Sequence, residues 1–413
     1  MRRRDLLIVA AAGLSARASA TAEPPASLAR GLWRDEAGRF LAIGRFPEFG
    51  RGEFAFEYSQ LRIGPLRDGG DGRWRVASTL DGTGAPLAEI RPNGEDLRMR
   101  GRRFRSVRIR RTPLAAVSEG VSLSGELAMQ RGRHPRGIVA MIYGSGPAPK
   151  EAFDPWAFWF LAQGFAVVTY DKRGSGQSCG DWRLTSLESL AADARAMIEA
   201  ARAHTRAGPL VVWGASQAGW IEPQLGAQGI VDGLIMHAGS AMRPRAQILA
   251  HVEAELTANG FAAEEIERAK AYYALDTDVS CGVRPWNEIE AAHREAVAAG
   301  AEWILAPPAA AGAPERTMIR LMADFDPAPY WRANRASTLA LFGGKDLTVP
   351  AAANRSLLES MAPAGVDLRA LTLPSANHLM FTAQTGVRSE YATLSHIVPE
   401  YFSTIASWLA ERA

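Results

Sequence analysis

The strongest constraint in this chain is a series of short, almost uninterrupted apolar runs. Ile138-Val139-Ala140-Met141-Ile142-Tyr143 ends in Gly144, Phe165-Ala166-Val167-Val168-Thr169-Tyr170 ends in Asp171, and Leu210-Val211-Val212-Trp213 ends in Gly214. Leu234-Ile235-Met236, Leu339-Ala340-Leu341-Phe342 and Leu368-Arg369-Ala370-Leu371 follow. A strand that is apolar on both faces must be covered on both faces, which is the condition of a parallel strand between two helical layers. Helical sequence lies between the runs. In Leu187 to His204 the residues Leu190, Ala194, Met197, Ile198 and Ala201 form one stripe. This alternation predicts an α/β fold with a doubly wound, mostly parallel sheet.

Two stretches break the rhythm. Residues 241–335 carry Ala- and Glu-rich helical segments (Ala246 to Leu256, Glu264 to Leu275, Trp286 to Ala299) without a convincing strand, and read as a helical insertion. From Leu28 to about Thr112 the chain is strand-like and rich in turns. Glu53-Phe54-Ala55-Phe56-Glu57-Tyr58 alternates, placing Phe54, Phe56 and Tyr58 on one face, while Asp68-Gly69-Gly70-Asp71-Gly72 and Asp81-Gly82 mark turns. These features predict a small antiparallel β domain. The arginines that crowd its end (Arg98, Arg100, Arg102, Arg103, Arg105, Arg108, Arg110, Arg111) read as the wet side of edge strands.

The N-terminus reads as a cleavable export signal. Arg2-Arg3-Arg4-Asp5-Leu6-Leu7 is a charged start, Leu6 to Ala16 a short apolar stretch, and Ala18-Ser19-Ala20 a small-x-small cleavage site. The arginine cluster resembles a twin-arginine signal, so a periplasmic or secreted location is expected. The formal net charge is +3, and Arg2, Arg3, Arg4 and Arg17 against Asp5 account for all of it. Without that segment the chain is neutral, and bulk charge gives no reason to expect a nucleic-acid partner. No apolar run approaches the roughly 20 residues a membrane-spanning helix needs. The expected divisions are therefore 1–20 signal, 21–115 β-rich domain, 116–240 and 336–413 the two parts of the sheet core, and 241–335 the insertion. Cys179 and Cys281 are far apart in sequence, which leaves both a disulfide and two free thiols open.

In open parallel sheets, ligands bind beyond the carboxyl ends of the strands. Three residues that follow apolar runs form a chemically coherent set: Ser216, Asp346 and His378. A serine hydroxyl becomes a nucleophile when an adjacent base, itself oriented by a carboxylate, takes its proton. The literal Gly-x-Ser-x-Gly match is Gly176-Gln177-Ser178-Cys179-Gly180, but no strand leads directly into it and no helix follows. Ser216 has a strand before it, small residues two positions to either side (Gly214, Ala218) and a plausible helix after it, as a sharp strand-to-helix turn requires. Asp324 and Asp326, just before the strand leading to Asp346, are rival acids; Asp346 is preferred because it emerges directly from a strand.

The order Ser, Asp, His and the loops around these residues resemble the α/β-hydrolases, in particular bacterial exported serine esterases with a helical cap. The resemblance covers about residues 117–413. Gly343-Gly344-Lys345-Asp346-Leu347-Thr348-Val349-Pro350 and Asn377-His378 are similar to that family's acid and base loops. Asp171-Lys172-Arg173-Gly174-Ser175-Gly176-Gln177-Ser178 resembles a loop that gives Ser178 a structural place. Ile142-Tyr143-Gly144-Ser145-Gly146-Pro147 resembles the oxyanion loop, with Tyr143 where His is usual. The resemblance implies an acyl-enzyme on Ser216, oxyanion donors at the backbone N–H groups of Ser145 and Gln217, and a small-molecule ester substrate. An aminopeptidase, an acyltransferase or a non-catalytic protein on the same fold are the alternatives.

No cofactor is expected, because the chain has neither a phosphate loop nor a dinucleotide fingerprint. No catalytic metal is expected either: His134, His204, His251, His293 and His396 lack paired ligand spacing, and His237 reads as a core or cap-contact histidine. Trp156, Phe158 and Trp159 read mostly as core, with one ring available to an acyl pocket.

Overall fold

The computed structural model describes residues 28–50 and 52–412. The expected export signal, residues 1–20, lies outside the described residues. Eight short strands come first: β1 (Gly31–Arg34), β2 (Phe40–Arg45), β3 (Glu53–Glu57), β4 (Arg62–Asp68), β5 (Trp74–Ala77), β6 (Pro86–Asn93), β7 (Asp96–Met99) and β8 (Arg102–Ser106). They pair antiparallel in sequence order, and β8 returns to β1 to close a barrel. Trp33, Leu41, Ile43, Ala55, Trp74, Ile90, Leu97 and Phe104 fill its interior.

Closure changes two expectations. The strands β7 and β8 have no free edge, so Arg98, Arg100, Arg102, Arg103 and Arg105 are solvent-facing without being on edge strands. Several are paired, Arg100 with Glu57 and Arg103 with Asp96. Phe54 and Phe56 share a face as expected, but that face is the outside of the barrel. It is buried against the rest of the molecule, while Ala55 points inward.

The second sheet has eight strands in the order β16-β15-β14-β13-β11-β12-β10-β9. They are β9 (Ile109–Ser118), β10 (Val121–Gln130), β11 (Ile138–Ile142), β12 (Ala166–Tyr170), β13 (Leu210–Ala215), β14 (Gly233–His237), β15 (Ser337–Gly343) and β16 (Leu368–Leu373). From β12 through β16 every pairing is parallel, whereas β10 pairs antiparallel with both β9 and β12. The six apolar runs are thus the six parallel strands. The β9–β10 hairpin spans the expected division at 115, so the sheet begins at Ile109 instead.

Helices flank this sheet: α1 (Asp154–Ala162), α2 (Leu187–Arg202), α3 (Glu222–Ala227), α4 (Pro244–Ala258), α5 (Ala263–Ser280), α6 (Trp286–Ala298), α7 (Pro314–Met322), α8 (Ala328–Arg332), α9 (Ala351–Met361) and α10 (Pro399–Ala410). In the expected insertion, α4, α5 and α6 pack on a cluster of their own that includes Val252, Leu256, Tyr272, Ile289 and Trp303. The returning end belongs to the sheet core, because Met318, Met322 and Trp331 are buried in it. No helix among the described residues is long and apolar enough to cross a membrane.

The barrel docks on α1. A helix that is hydrophobic all round must be covered all round. α1 reads Asp-Pro-Trp-Ala-Phe-Trp-Phe-Leu-Ala, and Trp156, Phe158 and Trp159 are all buried, so none of the three is free to line a pocket. The contact is pinned by Asp154, fully buried, whose carboxylate accepts from the Arg30 guanidinium and from Arg45 N at 2.8 Å. Backbone hydrogen bonds carry the barrel on toward the loop after β16. Ile63 N donates to Ser395 O (2.8 Å) and Ile397 N to Leu61 O (2.9 Å); Thr382 N then donates to His396 O (2.7 Å) and Asn377 N to Phe381 O (3.0 Å).

Candidate active site

The parallel register sets Ala215, His237, Leu341 and Leu371 in one row across β13, β14, β15 and β16. Residues just past that row emerge together at the carboxyl edge of the sheet. Ser216, Asp346 and the loop carrying His378 all do so.

Ser216 directly follows β13 with φ 55°. A non-glycine residue held in the left-handed region is uncommon and costs on the order of 1–3 kcal/mol, which the surroundings must enforce. Here they do so by close packing. A Cβ on Gly214 would lie 2.6 Å from Ala218 Cβ, and one on Gly219 would lie 2.6 Å from Ser240 N. The turn therefore closes only with small residues on both sides of the serine. The expected helix does not begin at once. Residues Ser216–Trp220 form a 3-10 turn, and α3 starts at Glu222 because Pro223 fits only the first turn of a helix.

Asp346 sits at the end of β15 with its carboxylate buried. Its Oδ1 accepts from Thr348 N and Val349 N, both at 2.8 Å, and its Oδ2 is 2.8 Å from His378 Nδ1. Gly343 and Gly344 let the acid loop press onto the base loop: a Cβ on either would meet the carbonyl oxygen of Ala376 or Pro374 at 2.5 Å. Asn377, fully buried, accepts from Leu379 N (3.0 Å) and Phe381 N (2.9 Å), which shapes the turn that presents His378. The His378 ring stays partly open to solvent, at 13% exposure of its side chain. The rival acids are engaged elsewhere, Asp326 with Arg243 and Asp324 with Arg245. Ser178 is buried and its Oγ accepts from Ser124 N at 2.9 Å, so it braces β10.

The loop after β11 runs past the serine, and a Cβ on Gly144 would lie 3.1 Å from Ser216 Cβ. Ser145, next in that loop, is exposed, and Gln217 is buried. Tyr143, in the usual histidine position, is buried and stacks on Phe153 with ring centroids 5.7 Å apart. Lys172, which the sequence reading passed over, joins the two loops. Its Nζ donates to Gly144 O and to Gln217 Oε1, each at 2.8 Å. Burial pushes this ammonium down to about 7, with Asp193 opposing the shift. In the sequence Lys172 is marked only as a basic residue two positions past a strand.

His237 is a core histidine, as expected. It is buried among Trp156, Trp213 and Tyr401, and its Nδ1 is 2.7 Å from Tyr401 Oη, which also accepts from Trp213 Nε1 (2.9 Å). Burial first, and then the proximity of His378, push its pKa down to about 3. Cys179 and Cys281 are both free thiols.

A family profile described as Serine aminopeptidase, S33 (Hydrolase_4) matches residues 133–276, about a third of the chain, a segment that includes Lys172 and Ser216 but not Asp346 or His378. No curated protein sequence matches the chain. Among solved structures, Est1E from Butyrivibrio proteoclasticus with bound ferulic acid is 14% identical, with a TM-score of 0.47, over 72% of this chain and 98% of that one. The proline iminopeptidase of Mycobacterium smegmatis is 13% identical, with a TM-score of 0.48, over 73% and 98%. The esterase Pf2001 of Pyrococcus furiosus is 12% identical, with a TM-score of 0.47, over 74% and 91%. Identities and scores this low say nothing about substrate. The strand order, the antiparallel first hairpin and the sharp turn after β13 are nonetheless decisive for architecture: this chain has the α/β-hydrolase fold, preceded by a closed β-barrel.

Proposed function

We propose that the protein is a serine hydrolase that cleaves carboxylic esters through an acyl-enzyme on Ser216. The observation that carries this reading is the strained serine after β13 at the same sheet edge as the hydrogen-bonded pair His378 and Asp346. Asp346 holds the proton on His378 Nδ1, which leaves Nε2 free to take the proton of the Ser216 hydroxyl as its oxygen attacks the ester carbonyl. The backbone N–H groups of Gln217 and Ser145 are the donors assigned to the oxyanion. His378 returns the proton to the departing alcohol. Water then repeats the sequence on the acyl-enzyme and restores Ser216.

A fluorophosphonate probe is expected to label the wild-type protein and not Ser216→Ala. Ser216→Ala is also expected to lower kcat by on the order of 10⁶. Labelling that persists in this variant refutes the assignment. A second reading, an aminopeptidase, is favoured by the description of the matched family. Rates on p-nitrophenyl esters and on aminoacyl p-nitroanilides, measured on one preparation, separate the two. Export is proposed from the N-terminal sequence alone; an intact mass beginning after Ala20 in protein recovered from the cell envelope supports it, and one beginning at Met1 refutes it.

A further inference from the structure

Lys172 follows β12 by two residues, and its side chain is buried with its charged end beneath the serine turn. We propose that Lys172 is a positioning residue for the oxyanion site, one ammonium that sets the direction of both backbone donors by holding Gly144 O and the side chain of Gln217. The inference rests on the hydrolase reading of Ser216.

The peptide between Gly144 and Ser145 is planar and trans, so its carbonyl oxygen and its N–H point in opposite directions. Fixing Gly144 O at 2.8 Å from Nζ therefore fixes where the Ser145 N–H points. A cation on that oxygen also polarises the amide and makes its N–H a stronger donor. The second bond, to Gln217 Oε1 at 2.8 Å, tethers the residue that supplies the other donor. One atom thus sets the spacing between two loops that follow different strands, β11 and β13.

A purely structural role accounts poorly for the lysine, because its own loop is held by other means. Arg173 makes a two-bond pair with Asp193 at 2.6 and 2.7 Å. Asp171 accepts from Lys150 N (2.7 Å) and Gln177 N (3.0 Å), and Ser175 Oγ accepts from Ala148 N (2.9 Å). Burying an amine is costly, and an apolar side chain of similar length serves packing as well or better. The Trp182 ring, 5.1 Å from Nζ, and the Asp193 carboxylate keep some of the charge.

The test is Lys172→Met in the full chain, with p-nitrophenyl butyrate as substrate and active sites counted by fluorophosphonate titration. The expected fall in kcat is about 10- to 100-fold, less than the loss of a direct oxyanion donor. KM is expected to stay within about twofold, and affinity for a trifluoromethyl ketone to fall in step with kcat, as loss of transition-state binding requires. The melting temperature is expected to hold or rise. Hydrogen exchange at residues 144–146 and 216–218 is expected to quicken, a readout that survives even if Ser216 cleaves no ester. Unchanged exchange overturns the proposal, as does a kcat within about threefold of wild type on an enzyme that Ser216→Ala inactivates. A lower melting temperature with kcat per titrated site intact assigns Lys172 to the fold and also overturns it. If Lys172→Met does not fold, Gln217→Leu removes one of the two bonds and keeps the charge; the same exchange and kcat criteria apply to it.

Discussion

Replacing Asp346 with Asn changes one atom, and the structure dictates how that change propagates. The two oxygens of Asp346 have different partners: Oδ1 accepts two backbone N–H groups, those of Thr348 and Val349, and Oδ2 faces His378 Nδ1. An asparagine has one oxygen and one NH₂. If the NH₂ faced the two backbone donors, both buried bonds would be lost, at about 1–3 kcal/mol for each group left unsatisfied. The amide therefore keeps its oxygen toward Thr348 and Val349 and turns its NH₂ to His378. Nδ1 must then accept, and the ring proton moves to Nε2, the nitrogen that takes the serine proton in the proposed mechanism. The expected loss in kcat is about 10⁴-fold, or roughly 5.5 kcal/mol, by analogy with the same change in an unrelated protease fold. KM should move by no more than a few fold, because Asp346 is buried behind the histidine. The assay is kcat on p-nitrophenyl butyrate per titrated site, with circular dichroism to verify folding. A folded Asp346→Asn enzyme within tenfold of wild type refutes the tautomer argument. Loss of activity in Asp324→Asn or Asp326→Asn, both expected near wild type because they pair with Arg245 and Arg243, refutes the choice of acid.

Three further outcomes follow from named contacts. Ser178→Ala should keep kcat within about threefold while lowering stability by roughly 1 kcal/mol, since it removes only the bond to Ser124 N; the check is kcat beside urea denaturation. His237 is held neutral to about pH 3, whereas in the unfolded chain it takes a proton near 6.5, so its presence makes the fold lose stability as pH falls from 6.5 toward 3. In urea titrations at pH 7 and pH 5, His237→Asn should therefore narrow its stability deficit at the lower pH, by about 1 kcal/mol per unit; a widening deficit means the folded ring is protonated. Phe46→Ala opens a cavity where the barrel meets Trp156 and Phe381, three residues past His378, and should cost about 3–5 kcal/mol, read as a lower urea midpoint at unchanged slope.

The parallel strands and the candidate catalytic residues were legible in the chain because both are local. Each apolar run needs only its own residues to require burial on two faces, and the candidate residues follow the ends of runs, at Ser216, at Asp346 and after Leu373. The turn at Ser216 was readable for the same reason: Gly214 and Ala218 are small because they face each other across four residues. The barrel's closure was not, since the pairing of β1 with β8 joins Trp33 to Ser106 and no local pattern specifies it. Nor was the burial of both faces of β3, where alternation suggested one wet side. One clue lay in α1, whose lack of any polar face requires a second covering layer, and that layer is the barrel. Lys172 shows the same division most sharply. Its sequence marks only a basic residue after a strand, and its two partners, Gly144 and Gln217, lie 28 and 45 residues away. A side chain's partners across such distances are decided by packing, because the energy that selects them exists only once β11, β12 and β13 lie side by side.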